Sequence, residues 1–573
     1  MARHADRPYL GRRADGIYLY ETYRQIQQKA HAFATSLIEL GLEPGQRVAQ
    51  LANNRPEWVI TDLGVMHAGL VHVPLYPTLA PEAIAYILND CQARVLVVGT
   101  LEQLQRVLQV ADRVSSLTSI VVMEPGASGA QHDFEAFLGL AQGRHLQEME
   151  QRQEALKATD LASLVYTSGT TGEPKGAMLR HGNLISNATE AGTLIGVGPQ
   201  DVELSFLPLS HVFERMIYYA ITAAGGSIGY AESIETVAQN VGEVRPTILA
   251  SVPRLYEKMH ARILDGVEKS HPLKRKLFHW AMGVGRRCFE AAQAGQVPKS
   301  LLLERRFAYK LVFSKIHQRL GGRIRYLVSG SAPLRAEVGA FFLHAGFKLL
   351  EGYGLTETSP IVTVNPPDRI RLGTVGRPLN GVEVVIASDG EILVRGPNVM
   401  EGYFGKPEAT SEAIDPEGWF HTGDIGQFDA EGFLRITDRK KELLVLSNGK
   451  KVAPAPIELL LQASPLIEQA VVLGDNRNFV SALVVPAREA VAARLGVSAD
   501  LEAMAASPQV LELLTAESER LCRDLSNYER VKKIALLPRE LTQEAGDLTP
   551  TLKVKRRVVL KAFQTTIEGL YQE

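Results

Sequence analysis

Cysteine is scarce. Cys91, Cys288 and Cys522 are the only three in 573 residues, far apart and in no metal-ligand spacing. That excludes a disulfide framework and points to a reducing compartment. Long apolar runs are missing too. No stretch is uninterrupted enough to span a bilayer, and the N-terminal MARHADRPYLGRRADG has no hydrophobic signal core. Charge of one sign is also lacking: 62 Lys and Arg face 64 Asp and Glu, a net charge of −2, so no global field points to nucleic acid. Internal repeats and low-complexity tracts are absent. A soluble cytoplasmic protein is expected, with peripheral contact to a membrane surface left open and the oligomeric state undetermined. A chain of 573 residues exceeds one typical core, so two or more domains are expected.

What is present is an alternation of helix and strand. Ile26, Ala30, Phe33, Leu37 and Leu40 recur at steps of four and three before Gly41, which predicts a helix from about residue 21. Short apolar runs at 47–52, 71–76, 95–99, 161–166, 203–207, 247–250 and 324–328 read as strands, with helices near Pro56 and over 81–89. Such alternation implies α/β architecture with parallel or mixed sheets covered by helices. After about residue 370 the pattern turns β-rich, with a hairpin signal at Asp389-Gly390. Beyond the charged stretch 438–442 follow 468–474, 481–486 and further helices, enough for a small α+β domain. The expected division is 1–437, including the β-rich part at about 370–437, and 438–573.

Residues 254–325 hold 17 Lys or Arg against five Asp or Glu, with apolar residues interleaved. The plainest reading is a solvated basic helical face. A sharper one is a surface for anionic lipid headgroups. No nucleic-acid motif accompanies the charge.

Five motifs carry chemistry. YTSGTTGEPKG (166–176) follows an apolar strand and sets Thr167, Ser168, Thr170 and Thr171 around Gly169 and Gly172, with Lys175 behind. Small residues let backbone N–H groups approach an anion, and the lysine adds charge for phosphate. It is not a Walker A loop, because Gly-Lys-Ser/Thr is missing. The others are SGSAPL with EGYGLTET (329–334, 351–358), GWFHTGDIG (418–426), DRKKE (438–442) and LTPTLKVKRR (548–557).

In composition and order these motifs resemble the adenylate-forming (AMP-binding) superfamily over essentially the whole chain. The resemblance implies an N-terminal AMP- and acyl-binding domain and a small mobile C-terminal catalytic domain. It assigns the phosphate loop 167–175, Gly330, Ser331 and Ala332 at the adenine, Tyr353 and Gly354 beside them, and Thr356 at the α-phosphate. Glu357 would hold Mg²⁺ together with Thr167. Asp424 would grip the ribose hydroxyls, with Arg439 near the ribose and phosphate. Lys441 would be the hinge. Lys553 would reach the carboxylate and α-phosphate. The family's commonest form has glycine before that lysine; here Leu552 precedes it, and Lys555 is the neighbouring alternative.

LPLSHVFER (207–215) and the run GWFHTGDIGQFDAEGFLRITDRKKE resemble long-chain fatty acyl-CoA synthetases, which places His211 and Phe213 beside an acyl site. A structural histidine is the plainer reading of His211. The implied substrates are ATP, a fatty acid and coenzyme A. Rival readings are an aryl or short-chain acid ligase, a ligase loading a carrier protein, and a non-catalytic nucleotide sensor.

Overall fold

The computed structural model describes the chain except residues 1, 127, 168–172, 441, 442, 449, 550–553 and 573. It forms two compact units. The first holds Met1–Val385, Leu393–His421 and Asp429–Leu434; the second holds Ile386–Ile392, Thr422–Phe428 and Arg435–Glu573.

Two sheets organise the first unit. The seven-stranded sheet runs in the order His132–Asp133, Ser119–Val122, Val95–Val98, Arg47–Leu51, Val71–Leu75, Leu161–Thr167, Lys175–Arg180. Every neighbouring pair is parallel except the last. Val71–Leu75 and Val95–Val98 are buried at every position, and Leu161–Thr167 is buried except at its ends. That is why these strands read as continuous apolar runs: helices cover both faces of a parallel sheet.

The nine-stranded sheet runs Arg377–Pro378, Ile361–Val364, Lys348–Gly354, Tyr326–Ser329, Ile248–Ser251, Val202–Ser205, Ser227–Tyr230, Pro8–Ala14, Ile17–Thr22. Its centre is parallel and its two margins antiparallel. The strands expected from apolar runs all occur, with ends displaced by at most two residues.

The helix expected from residue 21 is Tyr23–Glu39. Thr22 accepts from the Gln25 backbone N–H while Gln25 reaches back to the Thr22 N–H, which satisfies two orphan donors of the first turn. Gly41, at φ +76°, follows its end. The N-terminal hairpin Pro8–Ala14 and Ile17–Thr22 is an addition to the expected elements. Its two-residue turn places Asp15 at φ +50° and Gly16 at φ +83°, the left-handed pair that suits the twist of antiparallel strands.

The basic stretch folds into helices Pro253–Glu268, Pro272–Gln293, Lys299–Ala308 and Ser314–Arg319, with a π turn at Tyr309–Phe313. One face of this array is core: Tyr256, Phe278, Val284 and Phe313 pack with Val338, Phe341 and Phe342.

A four-stranded sheet in the order Glu383–Ile386, Glu391–Arg395, Phe420–Phe428, Leu434–Arg439 supplies the β-rich part and carries the chain from the first unit into the second. The second unit also has the sheet Ile467–Leu473, Val480–Pro486, Val531–Leu536, whose first pair is antiparallel and second parallel. Leu461, Val472, Leu483, Val510 and Leu514 are among the residues that make its core. The architecture is thus α/β with a β-rich subdomain and a separate α+β C-terminal part.

Gly285 lies in the middle of Pro272–Gln293, where glycine normally weakens a helix. A Cβ there would sit 2.0 Å from the His344 carbonyl oxygen, so close approach of the helix ending at His344 requires it. Gly285→Ala should lower the unfolding free energy by roughly 1–3 kcal/mol, read by denaturant titration; an unchanged midpoint would refute the requirement.

Candidate active site

The motifs of the first unit cluster at carboxyl ends of parallel strands. Thr167 ends Leu161–Thr167, Gly330 follows Tyr326–Ser329, and Tyr353 and Gly354 end Lys348–Gly354. In open α/β sheets ligands bind at such ends, where loops meet strand termini.

Leu161–Thr167 and Lys175–Arg180 form a hairpin in which Thr167 pairs directly with Lys175. Ser168, Gly169, Thr170, Thr171 and Gly172 of the loop between them lie outside the described residues, as do Lys441 and Lys553. The hairpin mouth is anchored by the Tyr166 hydroxyl, which donates to Asp90 Oδ2. Gly176 leaves room for that ring: a Cβ there would meet Tyr166 Cζ at 3.0 Å.

The outer edge of Lys175–Arg180 is closed by residues 401–404. Met178 N–H donates to the Gly402 carbonyl at 2.9 Å, Glu401 N–H to Met178 at 3.0 Å and Phe404 N–H to Gly176 at 2.8 Å. This zipper delivers Tyr403. The Lys175 ammonium stands 5.1 Å from the centre of its ring, and its hydroxyl donates to Glu357 Oε1 at 2.8 Å. Met400 N–H donates to the Glu357 carbonyl at 2.8 Å, fixing the backbone as well. Burial, then the Glu357 charge, push the Tyr403 phenol up, so it remains a donor. Lys175 and Glu357, expected from separate motifs, are therefore linked through a tyrosine that sequence reasoning missed.

Thr356 and Glu357 are half-buried in the short 3₁₀ turn Thr356–Thr358. The turn is held by Thr358, whose hydroxyl accepts from Leu355 N–H at 2.9 Å and donates to the Pro360 carbonyl at 2.6 Å. Gly354 is forced: a Cβ would lie 1.8 Å from the Pro360 oxygen. Tyr353 is buried at the end of its strand, paired with Thr363. Ser331 adopts φ +68°, and Gly330 faces Phe213, whose ring a Cβ would meet at 3.1 Å. The expected adenine turn and the expected acyl-site residue Phe213 thus adjoin; Ala332 follows in the same turn.

His211 caps the helix Val212–Ala224: its Nδ1 accepts from Phe213 N–H at 3.1 Å, and its ring lies 6.4 Å from that of Tyr76. Beneath it, Arg215 is fully buried. Its guanidinium donates to Asp62, to Ser163 Oγ at 2.7 Å and to the Tyr219 oxygen at 2.9 Å, and lies 3.0 Å from His72 Nδ1. Burial alone would raise the Asp62 pKa, but Arg215 and His72 hold it below the usual carboxylate range. An apolar cavity of about 40 Å³ lies between the helices His181–Ile195 and Val212–Ala224 and the sheet, lined by Met216, Ile217, Ile248, Val328 and Leu350 among others.

In the second unit, Arg439 Nε meets buried Asp424 Oδ1 at 3.1 Å, so the two expected ribose-side residues are partners. Next to them Lys440 donates to Glu391 at 2.8 Å, and Glu391 accepts from Gly423 N–H at 2.9 Å. Among the described residues no three His, Cys, Asp or Glu side chains gather as metal ligands. Glu357, linked through Tyr403 to Lys175, is an oxygen donor of the kind Mg²⁺ takes, since that ion is commonly held by one or two carboxylates together with substrate phosphates and waters.

Comparison with known proteins shows the family. The family model described as AMP-binding enzyme matches residues 1–404, and AMP-binding enzyme C-terminal domain matches 441–573. The chain belongs to the AMP-binding enzyme family. Among its relatives, long-chain-fatty-acid–CoA ligase FadD15 of Mycobacterium bovis is 36% identical over 98% of this chain and 93% of that protein. Long-chain-fatty-acid–CoA ligase 5 of Rattus norvegicus is 33% identical over 99% and 86%. The crystal structure of ATP-bound MatB from Rhodopseudomonas palustris is similar with a TM-score of 0.70 at 25% identity, covering 98% of this chain and 97% of that one.

Glu351 lies in register with Ser329, one residue before Gly330, and burial pushes its carboxyl up to about 8 from an ordinary 4.5. The folded state holds a proton there that the unfolded chain releases, so this group's contribution to stability falls as pH rises from 4.5 toward about 8. Glu351→Gln, neutral at every pH, should therefore gain melting temperature over the parent progressively across that interval and level off above it. A difference independent of pH would remove Glu351 as the source.

Proposed function

We propose that this chain activates a long-chain fatty acid in two steps. The fatty carboxylate attacks the ATP α-phosphate, forming acyl-AMP and releasing pyrophosphate. The thiol of coenzyme A, giving up its proton, then attacks the acyl carbon, and AMP leaves. A carboxylate is a poor acyl donor because oxide would have to depart; AMP departs readily. The burden on the protein is positioning and neutralising charge rather than supplying a nucleophile.

The observation that carries the reading is the Lys175–Tyr403–Glu357 series at the mouth of the phosphate hairpin. Lys175 and the loop 168–172 would hold the phosphates, Glu357 and Thr167 would offer oxygens to Mg²⁺, and Tyr403 would keep the Glu357 carboxylate aimed. Mg²⁺, when bound, neutralises phosphate oxygens. Asp424 would take the ribose hydroxyls and Arg439 the nearby phosphate, Tyr353 the adenine, and Thr356 the α-phosphate. Lys553 would neutralise charge between carboxylate and α-phosphate, and Lys441 would act as the pivot of a C-terminal domain, 438–573, that alternates between the two half-reactions. Full-length similarity to long-chain ligases supports the long acyl chain. The 40 Å³ cavity is far short of what such a chain fills, so an acyl channel there would have to open on binding. The expected location is the cytoplasm, with peripheral contact to a membrane; no helix among the described residues is long and apolar enough to cross one.

The deciding assay supplies ATP, Mg²⁺ and coenzyme A with acids from acetate to oleate plus benzoate, and reads AMP and thioester. Yields should peak at long chains; a peak at short or aromatic acids would keep the chemistry and discard the chain length. Adenylate without thioester would indicate a carrier-protein acceptor, and no turnover would indicate a nucleotide sensor. Lys553→Ala should abolish acyl-AMP formation with folding intact, and full activity would move the role to Lys555.

Tyr403→Phe deletes one hydrogen bond to a charged group. Steady-state kinetics should show roughly a tenfold loss in kcat/KM for ATP and a higher Mg²⁺ requirement. Parent-like values at limiting Mg²⁺ would refute its role.

A further inference from the structure

We propose that the helices Pro272–Gln293 and Lys299–Ala308, with the π turn Tyr309–Phe313, form a docking face for an anionic lipid surface. This deepens the proposed function, on which it rests for its purpose, by placing the enzyme where a long-chain acid is met.

On the second helix and its π turn, Leu303, Phe307 and Leu311 follow one another at steps of four. They are 54%, 55% and 47% exposed, while Leu301, Ala308 and Phe313 of the same segment are buried. The segment therefore has two apolar faces, and only one of them belongs to the core. Beside the outward line stand exposed Lys299, Arg306 and Lys310.

On the first helix Leu273, Trp280 and Arg287 recur at steps of seven and so share one flank. Leu273 is 71% exposed and Trp280 39%. Arg287 bridges Glu304 of the second helix at 2.6 Å, which brings the two flanks side by side. The charge is one-sided. From 269 to 287 there are six Lys or Arg and no Asp or Glu; from 299 to 319 there are six against Glu304 alone, and Glu304 is engaged by Arg287.

A solvated basic face has no reason to expose tryptophan, phenylalanine and leucine in register. Together they match the interfacial layer of a membrane: apolar and aromatic side chains enter between lipids, while lysine and arginine keep their charged heads at anionic headgroups. Attraction of roughly 1 kcal/mol per basic residue near such a surface adds to this, and salt screens it.

Full-length protein, without ATP, is sedimented with phosphatidylcholine vesicles and with vesicles in which one third of the lipid is phosphatidylglycerol. Binding should be about tenfold stronger to the anionic vesicles and fall with salt. Leu303→Glu/Phe307→Glu and Arg306→Glu/Lys310→Glu should each lose most of it while keeping the parent circular dichroism and melting temperature. Arg523→Glu/Lys561→Glu, exposed residues of the second unit, should bind like the parent. Equal binding to both vesicles, or unchanged binding of the first two variants, overturns the proposal. So does self-association that Phe307→Glu abolishes without any vesicle binding, which would make the face a contact between copies. Vesicle binding is scored without turnover, so its failure leaves the ligase reading standing, and failure of the acid series leaves the lipid face standing.

Discussion

One buried guanidinium ties the two sheets of the first unit to each other. Arg215 rises from the helix Val212–Ala224, which packs on the nine-stranded sheet, and its partners Ser163 and His72 belong to strands of the seven-stranded sheet. Asp62, on the helix Pro56–His67, takes the charge. Burying an ion without partners is very costly, so this arrangement is sharply specified: with the partners displaced, the guanidinium would have neither water nor a counter-ion. The same helix carries Phe213 and begins at His211, and Ser163 lies on the strand that ends at Thr167. The seating of Arg215 therefore ties the helix that carries Phe213 to the strand that leads into the Thr167–Lys175 hairpin.

Around that fixed frame the site is built from strand ends and close backbone approaches. Gly354 admits the Pro360 carbonyl, Gly330 admits Phe213, and Gly176 admits Tyr166. Each glycine is needed because another group occupies the space of its missing side chain. Packing alone thus demands glycine at these motif positions, whatever else the motifs do.

Much of this was legible in the sequence because it is local. The hairpin loop, the Tyr-Gly-x-Thr-Glu turn and the Thr-Gly-Asp turn each sit within a few residues, and apolar runs located the parallel strands because burial on both faces demands them. What escaped depends on distant pairing. Tyr403 lies in an unremarked segment and acquires meaning only when 401–404 zips onto Lys175–Arg180. Arg215 looked like one more charge in LPLSHVFER; its partners Asp62, His72 and Ser163 are scattered through the first third of the chain. The N-terminal hairpin has a local turn signal in Asp15-Gly16, but its strands carry charge and lack the continuous apolar run that marks a buried strand. The basic stretch gave away its charge in sequence, but which of its apolar residues face outward became visible only once Leu301, Ala308 and Phe313 were seen in the core.

The margins of the two sheets differ in how they meet solvent. His132–Asp133 is only two residues long, Arg377–Pro378 is equally short and ends in a proline that has no N–H to offer, and Lys175–Arg180 is covered by 401–404. Ile17–Thr22 has none of these guards. It is six residues long, ends the nine-stranded sheet, and exposes Ile17 and Leu19 at 60% and 53%. It pairs on one side only, with Pro8–Ala14, so its outer edge is left without a partner strand. Of the four margins of these two sheets, this hairpin is the one that offers an unguarded template to another strand, and a single added lysine there would act as gatekeeper.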